Sequence, residues 1–391
     1  MIDEKIFDEM VDRRGSGSYK WDDPADGDDM IELWVADMDF KAAPVIIDAL
    51  RRRVEHGVFG YTRVPDQFYE ATVDWFGRRH GWTIDPARII YTSGVVPAIS
   101  AIIKALAREG DKVAVMTPVY NCFFSSIRNN GCIVADAPLV LNDGRYEIDF
   151  DALDALLADE GVKLLLMCNP HNPAGRVWTR DELLRVDTMC RAHGVWVVSD
   201  EIHCELTYGD HRYTPFASLS DEAAANCISC ISPSKAFNIA GLQIAEIVCP
   251  DEATQSLIDK AININEVCDV NPFGVVALIA AYRKGEPWLD ALRGYLWGNY
   301  LMLREFFATR LPGMTVVELE GTYLAWIDCR STGMSGDEIE ALGRSRGVRV
   351  ASGSIYGGEG FIRINMATQR ARLREGLERL ARAIESRTSN N

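Results

Sequence analysis

The sequence predicts an α/β fold, in which a large domain with a mainly parallel seven-stranded sheet is joined to a smaller α+β domain. Seven short apolar runs between residues 88 and 250 indicate the strands, and segments of helical pattern separate them. Strands that alternate with helices are typical of a parallel sheet. Beyond residue 285, long helical segments precede strand-like runs and a charged amphipathic helix, which indicates a second layer.

The strand-like runs are, in chain order, "RIIYTSG", "KVAVMTP", "GCIVADAPL", "KLLLMCNP", "GVWVVSDE", "CISCISPS" and "AEIVCP". The helices between them have recognisable ends. In "TRDELLRVDTMCRAHG", Thr179 and Glu182 have the spacing of a capping box, and Gly194 ends the helix. This helix leads directly into the strand "VWVVSD".

Three regions follow from this pattern. Residues 1–45 are irregular and rich in aromatic side chains, so we expect them to pack on the small domain. Residues 46–285 form the large, cofactor-binding domain, and residues 286–391 form the small C-terminal α+β domain, with a capped helix that begins near Ser335. We find no internal repeat.

Composition indicates a globular protein of the cytoplasm. Of 391 residues, 48% are hydrophobic and 25% are charged. The net charge of −16 argues against binding to nucleic acid or to anionic membranes. The N-terminus "MIDEKIFDEM" lacks the apolar core of a secretory signal, and no apolar stretch is long enough to span a bilayer.

The ten cysteines are scattered, apart from Cys227 and Cys230 in "CISC". Because that motif lies in a predicted strand, its two side chains should point to opposite faces. We therefore expect reduced, mostly buried thiols and no metal site.

Polar or aromatic residues follow several of the predicted strands. Ligands in α/β proteins bind at the carboxyl ends of strands. Gly94 precedes the helix "VVPAISAIIKALA", whose free N–H groups could hold a phosphate. The ring of Tyr120 could stack on a planar ligand; the alternative is a half-buried aromatic side chain that only packs against its neighbours.

The later strands end in more reactive groups. Asn172 lies in the loop "NPHNPAG", Asp200 ends a strand, His203 follows it, and Lys235 closes "CISCISPSK". Each has an ordinary structural interpretation as a turn, cap or loop residue. A buried lysine, however, has a lowered pKa, and a neutral amine can bond to a carbonyl carbon.

Together these positions offer a phosphate site, a stacking ring, a polar loop, a carboxylate and an amine. Pyridoxal 5'-phosphate (PLP) requires all five, because it combines a phosphate, a pyridine ring, a phenolic oxygen, a protonated ring nitrogen and an aldehyde. The residues therefore predict a PLP site.

The sequence also resembles a known family. The order of "NPHNPAG", Asp200 and "SPSK", with Lys235 lying 35 residues after Asp200, is similar to the fold-type I PLP enzymes of the class I/II aminotransferase group. The motifs "WVADMDF", "HGVFGYTR", "SDEIH", "SKAFNIAGLQ", "NPFGVVA" and "GTYLAW" resemble the C–S β-lyases of that group, also called cystathionine β-lyases. The resemblance covers essentially the whole chain and implies the PLP-dependent transferase-like fold.

The resemblance implies a role for each residue at the ring. Lys235 would bond to the cofactor aldehyde and act as the catalytic base. Asp200 would pair with the pyridinium nitrogen. Asn172 and His203 would hydrogen-bond the phenolic oxygen, and Tyr120 would stack on the ring.

It also implies contacts for the phosphate and the substrate. The phosphate would bind the backbone of Gly94, Val95 and Val96, the hydroxyls of Ser232 and Ser234, and Tyr61 from a second subunit. The substrate carboxylate would bind Arg363 of "FIRIN", and Ala36 and Asn172 would also bind the substrate. From the residues alone, Arg363 would more often be an exposed strand charge. The shared Tyr61 implies a homodimer.

Two positions depart from the common aminotransferase pattern. Ala174 replaces the usual threonine after the second Asn-Pro. Gln243 stands where many aminotransferases carry a phosphate-binding arginine, in agreement with the "AGLQ" of the lyase group.

The resulting functional prediction is β-elimination from a small sulfur-containing amino acid such as L-cystathionine or L-cysteine, which yields a thiol, pyruvate and ammonia. An aminotransferase on the same scaffold is the first alternative, since the five-part site does not separate the two reactions. A regulatory binding protein on the scaffold is the second, against which the intact Lys235, Asp200 and Arg363 argue.

Overall fold

The computed structural model describes residues 2–264, 266 and 269–388. Its α-helices are α1 Pro44–Glu55, α2 Asp66–His80, α3 Val95–Leu106, α4 Asn121–Asn129, α5 Phe150–Leu157, α6 Arg180–Ala192, α7 Asp221–Ala225, α8 Glu252–Asn263, α9 Pro272–Lys284, α10 Glu286–Arg310, α11 Gly336–Arg344 and α12 Arg370–Thr388. Its strands are β1 Ile31–Glu32, β2 Ile89–Thr92, β3 Lys112–Val115, β4 Ile133–Asp136, β5 Val140–Asn142, β6 Arg145–Glu147, β7 Val162–Cys168, β8 Trp196–Asp200, β9 Cys227–Ile231, β10 Ala245–Val248, β11 Thr315–Val316, β12 Leu324–Asp328, β13 Val348–Arg349, β14 Ala351–Ser352 and β15 Phe361–Asn365.

A seven-stranded sheet forms the centre of the large unit, in the order β2-β10-β9-β8-β7-β3-β4. The strand β10 runs antiparallel to both of its neighbours, and the remaining pairs are parallel. All seven predicted apolar runs are strands of this sheet. The prediction of a mainly parallel α/β fold is therefore confirmed.

Helices cover both faces of this sheet because its strands are apolar on both sides. In β7, Leu164 and Leu166 pack in the core beneath α3, α4 and α8, whereas Leu165 and Met167 pack against α5 and α6. Each hydrophobic face is thereby removed from water. The layers hold the carboxyl ends of the central strands at one edge.

The predicted helix signals are confirmed. Thr179 and Glu182 form the capping box of α6, and Gly194 adopts a positive φ of 67° just beyond its end. Ser335 and Glu338 form a second capping box at the start of α11. Local side-chain chemistry therefore determined these ends.

A second sheet, β11-β12-β15-β14, is antiparallel and lies in the C-terminal part of the chain. The N-terminal segment contacts this part: β1 pairs with β13, and the ring of Phe7 lies 5.5 Å from the rings of Trp288 and Tyr295 in α10. The division into residues 1–45, 46–285 and 286–391 stays a prediction.

Cys227 and Cys230 belong to the cores on opposite faces of the sheet, as the strand pattern predicts. The described cysteines are free thiols, and all are buried apart from Cys122. Cys268 lies outside the described residues. Among the helices of the described chain, none has the length and apolarity that crossing a bilayer would require.

Candidate active site

A cavity of about 170 Å³ opens at the carboxyl ends of β2, β7, β8 and β9. Ten residues with a predicted role line it: Ala36, Gly94, Val95, Val96, Tyr120, Asn172, Asp200, His203, Ser234 and Lys235. Their positions in the chain span 200 residues, and the parallel strands bring them together. The cavity is therefore the candidate active site.

One wall of the cavity is the start of α3. Gly94 is the N-cap residue, and Val95 and Val96 are the first two helical residues. N–H groups in a first helical turn have no partner within the helix, and the dipole is positive at that end. This wall suits an anion such as a phosphate.

The amine of Lys235 faces the cavity and donates a hydrogen bond to the backbone carbonyl of Ala36 at 2.5 Å. Burial lowers the pKa of Lys235 to about 8, and Arg363 acts in the same direction, whereas Asp37 and Asp200 oppose it. About a tenth of the amine is therefore neutral at pH 7, far more than for an ordinary lysine. A neutral amine is the form that can attack an aldehyde.

Asp200 ends β8 and is buried. Burial raises its carboxyl pKa to about 7, while the N–H of Ile202 at 3.2 Å and the charge of Lys235 lower it. A buried carboxyl with this pKa can share a proton with a basic ring nitrogen.

His203 and Asn172 lie beside Asp200 in the lining. The Nδ1 atom of His203 is buried without a hydrogen-bond partner among the described residues. Burial, together with the charges of Lys235 and Arg363, lowers the pKa of this histidine well below its usual range. Buried polar atoms are normally satisfied, so the orphaned nitrogen indicates a polar ligand.

Arg363 lies in β15 and is only 4% exposed. Its Nη1 donates to Oδ1 of Asn172 at 3.2 Å, its Nη2 donates to the carbonyl of Trp34 at 2.9 Å, and its guanidinium lies 4.4 Å from the ring centre of Tyr356. The interpretation as an exposed strand charge is therefore wrong. Its Nε has no partner among the described residues, which leaves a donor for a carboxylate.

Three residues with a predicted role are absent from the cavity lining: Arg363, which contacts the lining residue Asn172, and the predicted phosphate ligands Ser232 and Tyr61. The Ser232 hydroxyl donates to the carbonyl of Ile244 at 2.6 Å and accepts from the N–H of Ser234 at 3.0 Å, so it supports the loop. Tyr61 is 98% exposed on the surface of this chain. Their phosphate roles stay predictions.

The lining also includes Ser93, which lies in the predicted phosphate turn with Gly94, and residues that sequence reasoning missed, namely Pro97, Cys168, Pro170, Ile202, Ala240 and Ile244. Ile202 lies between Asp200 and His203, and its position in that motif was the available signal. Sequence reasoning also missed Tyr323, whose hydroxyl donates to the carbonyl of Ala36 at 2.9 Å. This contact could not be predicted because its acceptor is a backbone oxygen, which every residue carries.

The residues fit PLP. The cavity combines a helix N-terminus, an amine, a carboxyl of raised pKa and an orphaned imidazole nitrogen, which are the groups that the phosphate, aldehyde, ring nitrogen and phenolic oxygen require.

A second cluster, His80, Cys204 and Glu205, has ligand atoms close enough for a metal ion. Glu205 already accepts hydrogen bonds from Trp75 at 2.6 Å and Arg79 at 2.8 Å, and it lies 2.7 Å from His80. The carboxylate is thus satisfied within the protein, and the arginine beside it would repel a cation.

Comparison with known proteins identifies the family of this chain and several similar proteins. Residues 28–380 match the family described as aminotransferase class I and II. The chain is 41% identical to cystathionine β-lyase PatB of Bacillus subtilis, over 97% of this chain and 99% of that one, and 34% identical to the protein MalY of Escherichia coli with the same coverage. The crystal structure of cystalysin from Treponema denticola, which contains a PLP cofactor, superposes with a TM-score of 0.94 at 34% identity, over 97% of this chain and 98% of that one.

Proposed function

We propose that this chain, which belongs to the aminotransferase class I and II family, is a PLP-dependent C–S β-lyase. Its substrates would be L-cystathionine, L-cysteine or related S-substituted cysteines, and its products a thiol, pyruvate and ammonia. The observation that carries the proposal is that the amine of Lys235 and the carboxyl group of Asp200 line the same cavity. The names of similar proteins, which include cystathionine β-lyase, favour the lyase over other PLP reactions.

Bound PLP supplies an aldehyde that bonds to amines and a ring that withdraws electrons from Cα of the substrate. Asp200 would keep a proton on the ring nitrogen, since its own pKa of about 7 allows the two groups to share it. His203 and Asn172 would donate hydrogen bonds to the phenolic oxygen. Ile202 and Tyr120 would exclude water from the two sides of the ring.

Lys235 would take the proton from Cα as general base. Its lowered pKa keeps part of the amine neutral at pH 7, and the Ala36 carbonyl holds the amine in place. Arg363 would bind the substrate carboxylate at two points, through its free Nε and a remaining N–H of a terminal guanidinium nitrogen, and so orient Cα toward Lys235. The bond that breaks next is Cβ–S, and the thiolate leaves.

We also propose a homodimer in which Tyr61 serves the partner's cavity. Val58, Phe59 and Tyr61 are exposed to 63%, 55% and 98%, an unusual run of large apolar side chains. Mixing a Tyr61→Ala variant with a Lys235→Ala variant tests this. A hybrid dimer would have one complete site and would regain activity, whereas a Tyr61 that acts within its own subunit would give none.

A cytoplasmic location is part of the same proposal. The free thiols of the described cysteines suit a reducing compartment. Cell fractionation with an antibody against the chain would check it.

The competing function is amino-group transfer, which the description of the matched family favours. Both reactions begin with removal of the Cα proton, so the site geometry suits either one. The test is a panel of L-cystathionine, L-cysteine and S-alkyl cysteines, with pyruvate and thiol measured together. Stoichiometric release of both supports the lyase; exchange of amino and keto acids without thiol release would overturn it.

A further inference from the structure

A short N-terminal segment, residues 34–40, runs between the turn that carries Lys235 and the strand that carries Arg363. We call this segment the strap. Each of its backbone carbonyls accepts a hydrogen bond from a side chain. The donors are Arg363 to Trp34, Asn365 to Val35, Lys235 and Tyr323 to Ala36, Asn365 and Lys20 to Asp37, Asn238 and Arg13 to Met38, Gln369 to Asp39, and Asn238 to Phe40.

The donors come from three parts of the chain. The turn after β9 holds Ala36, Met38 and Phe40 through Lys235 and Asn238. The C-terminal part holds the other carbonyls and also Ala36, and the N-terminal segment adds donors to Asp37 and Met38. Through consecutive residues, the strap therefore connects Lys235, the proposed base, to the strand that carries Arg363.

The side chain of Asn238 makes three hydrogen bonds to the strap. Its Oδ1 accepts from the N–H of Met38 at 3.0 Å, and its Nδ2 donates to the carbonyls of Met38 at 3.0 Å and Phe40 at 2.7 Å. Its φ of 54° lies in the left-handed region, which asparagine tolerates better than most residues. Asn238 thus uses its full amide on the strap, three residues after Lys235.

We propose that Asn238 is a positioning residue for the Lys235 amine and that it acts through the strap. By holding Met38 and Phe40, it acts together with Tyr323 and Asn365 to set the position of the Ala36 carbonyl, which accepts from Lys235 Nζ at 2.5 Å. The amine becomes an ammonium when it takes the Cα proton, and a fixed acceptor keeps it directed at the same place. The inference rests on the proposed role of Lys235 as base, but not on the nature of the leaving group.

The test uses a reaction without a leaving group, the exchange of the Cα proton of L-alanine with D₂O by the PLP-bound protein, followed by NMR. Asn238→Gly suits the positive φ and removes all three contacts. We expect its kcat for exchange to fall about 10- to 100-fold, with KM within about 3-fold, because Arg363 keeps its own contacts. Asn238→Asp keeps the acceptor for the Met38 N–H but turns a second carboxylate oxygen toward the Met38 and Phe40 carbonyls, so its loss in kcat should be at least as large.

The matched control is Gln369→Ala, which removes three side-chain hydrogen bonds, to Glu9, to Asp39 on the same strap and from Thr368, without touching the lysine turn. We expect its kcat and KM to stay within about 3-fold of the wild type. A pH titration of the cofactor absorbance gives a readout that is independent of turnover. Its midpoint should shift by about half a pH unit or more in Asn238→Gly and stay in place in Gln369→Ala.

Equal losses in the two variants, a defect of Asn238→Gly confined to KM, or unchanged exchange would each overturn the proposal. So would a wild-type protein that does not exchange the proton. Wild-type exchange without pyruvate release from L-cystathionine would remove the lyase assignment and leave the role of Asn238 standing.

Discussion

Arg363 Nη1 donates a hydrogen bond to Oδ1 of Asn172 at 3.2 Å, although the two residues lie 191 positions apart. One comes from the strand β15 of the second sheet and the other from the loop after β7 of the first. The contact joins the proposed carboxylate site to the proposed cofactor site. Replacement of either partner should therefore affect substrate binding.

Arg363→Lys should lower kcat/KM about 100-fold, mostly through a higher KM, because lysine lacks the planar fork that binds a carboxylate at two points. The measurement is steady-state pyruvate release from L-cystathionine. Arg330→Lys is the control, since Arg330 is exposed and pairs with Asp328 away from the cavity. An unchanged KM in Arg363→Lys would contradict the assignment.

The rate at which the cofactor-free protein incorporates PLP should depend on pH through Lys235. Its pKa of about 8 means that the neutral amine increases about tenfold per pH unit below pH 8 and levels off above it. Stopped-flow absorbance measures this rate, and Lys235→Ala should show no covalent incorporation. A rate that still climbs tenfold between pH 9 and 10, as for an ordinary lysine, would show that burial does not lower the pKa.

Glu246→Gln should stabilise the protein at alkaline pH. Glu246 is buried in β10, where its Oε1 accepts from Thr72 at 2.7 Å and its Oε2 has no partner among the described residues. Burial raises its pKa from 4.5 to about 8, so between these values the folded state holds a proton that the unfolded state has released. Stability contributed by this group is thus lost as pH rises through that window.

Urea unfolding at pH 5 and pH 8.5 measures the effect. We expect Glu246→Gln to exceed the wild type by roughly 2–4 kcal/mol at pH 8.5 and to differ from it by about 1 kcal/mol or less at pH 5. Glu147→Gln, at an exposed position of β6, should match the wild type at both values. A constant difference across pH would mean that Glu246 titrates normally.

Gly274→Ala should destabilise the fold by about 1–3 kcal/mol. A Cβ at this position of α9 would lie 2.8 Å from the carbonyl oxygen of Leu242 and 3.1 Å from Cβ of Ile244. Gly241→Ala is the matched control, because its Cβ would meet nothing within 4 Å. Urea midpoints compare the two, and equal midpoints would show that α9 can move away from the Leu242–Ile244 backbone.

Local patterns predicted the elements well. Seven apolar runs became the seven strands, and the capping boxes at Thr179 and Ser335 lie where their spacing indicated. Hydrophobic periodicity and capping depend on neighbours in the chain, so they can be read directly. The antiparallel insertion of β10 between β2 and β9 could not, because strand order depends on packing across the whole sheet.

The residues at the strand ends could also be predicted from the sequence. Asp200, His203 and Lys235 were expected near one another because carboxyl ends of adjacent strands share an edge, and they line one cavity. The burial of Arg363 could not be predicted in this way. Its charge suggested exposure, but it is buried because Asn172 and Trp34, from two distant parts of the chain, and the nearby Tyr356 surround it.

Residue types and their spacing were thus sufficient for the fold class, the helix ends and the amine and carboxylate of the site, since each depends on side-chain chemistry within one element. Folding in three dimensions was needed to bury Arg363, to leave the Nδ1 of His203 without a partner and to place the carbonyl of Ala36 against Lys235. Those features depend on backbone atoms, which every residue carries, and on contacts between distant segments. Neither is encoded in the identity of a single residue.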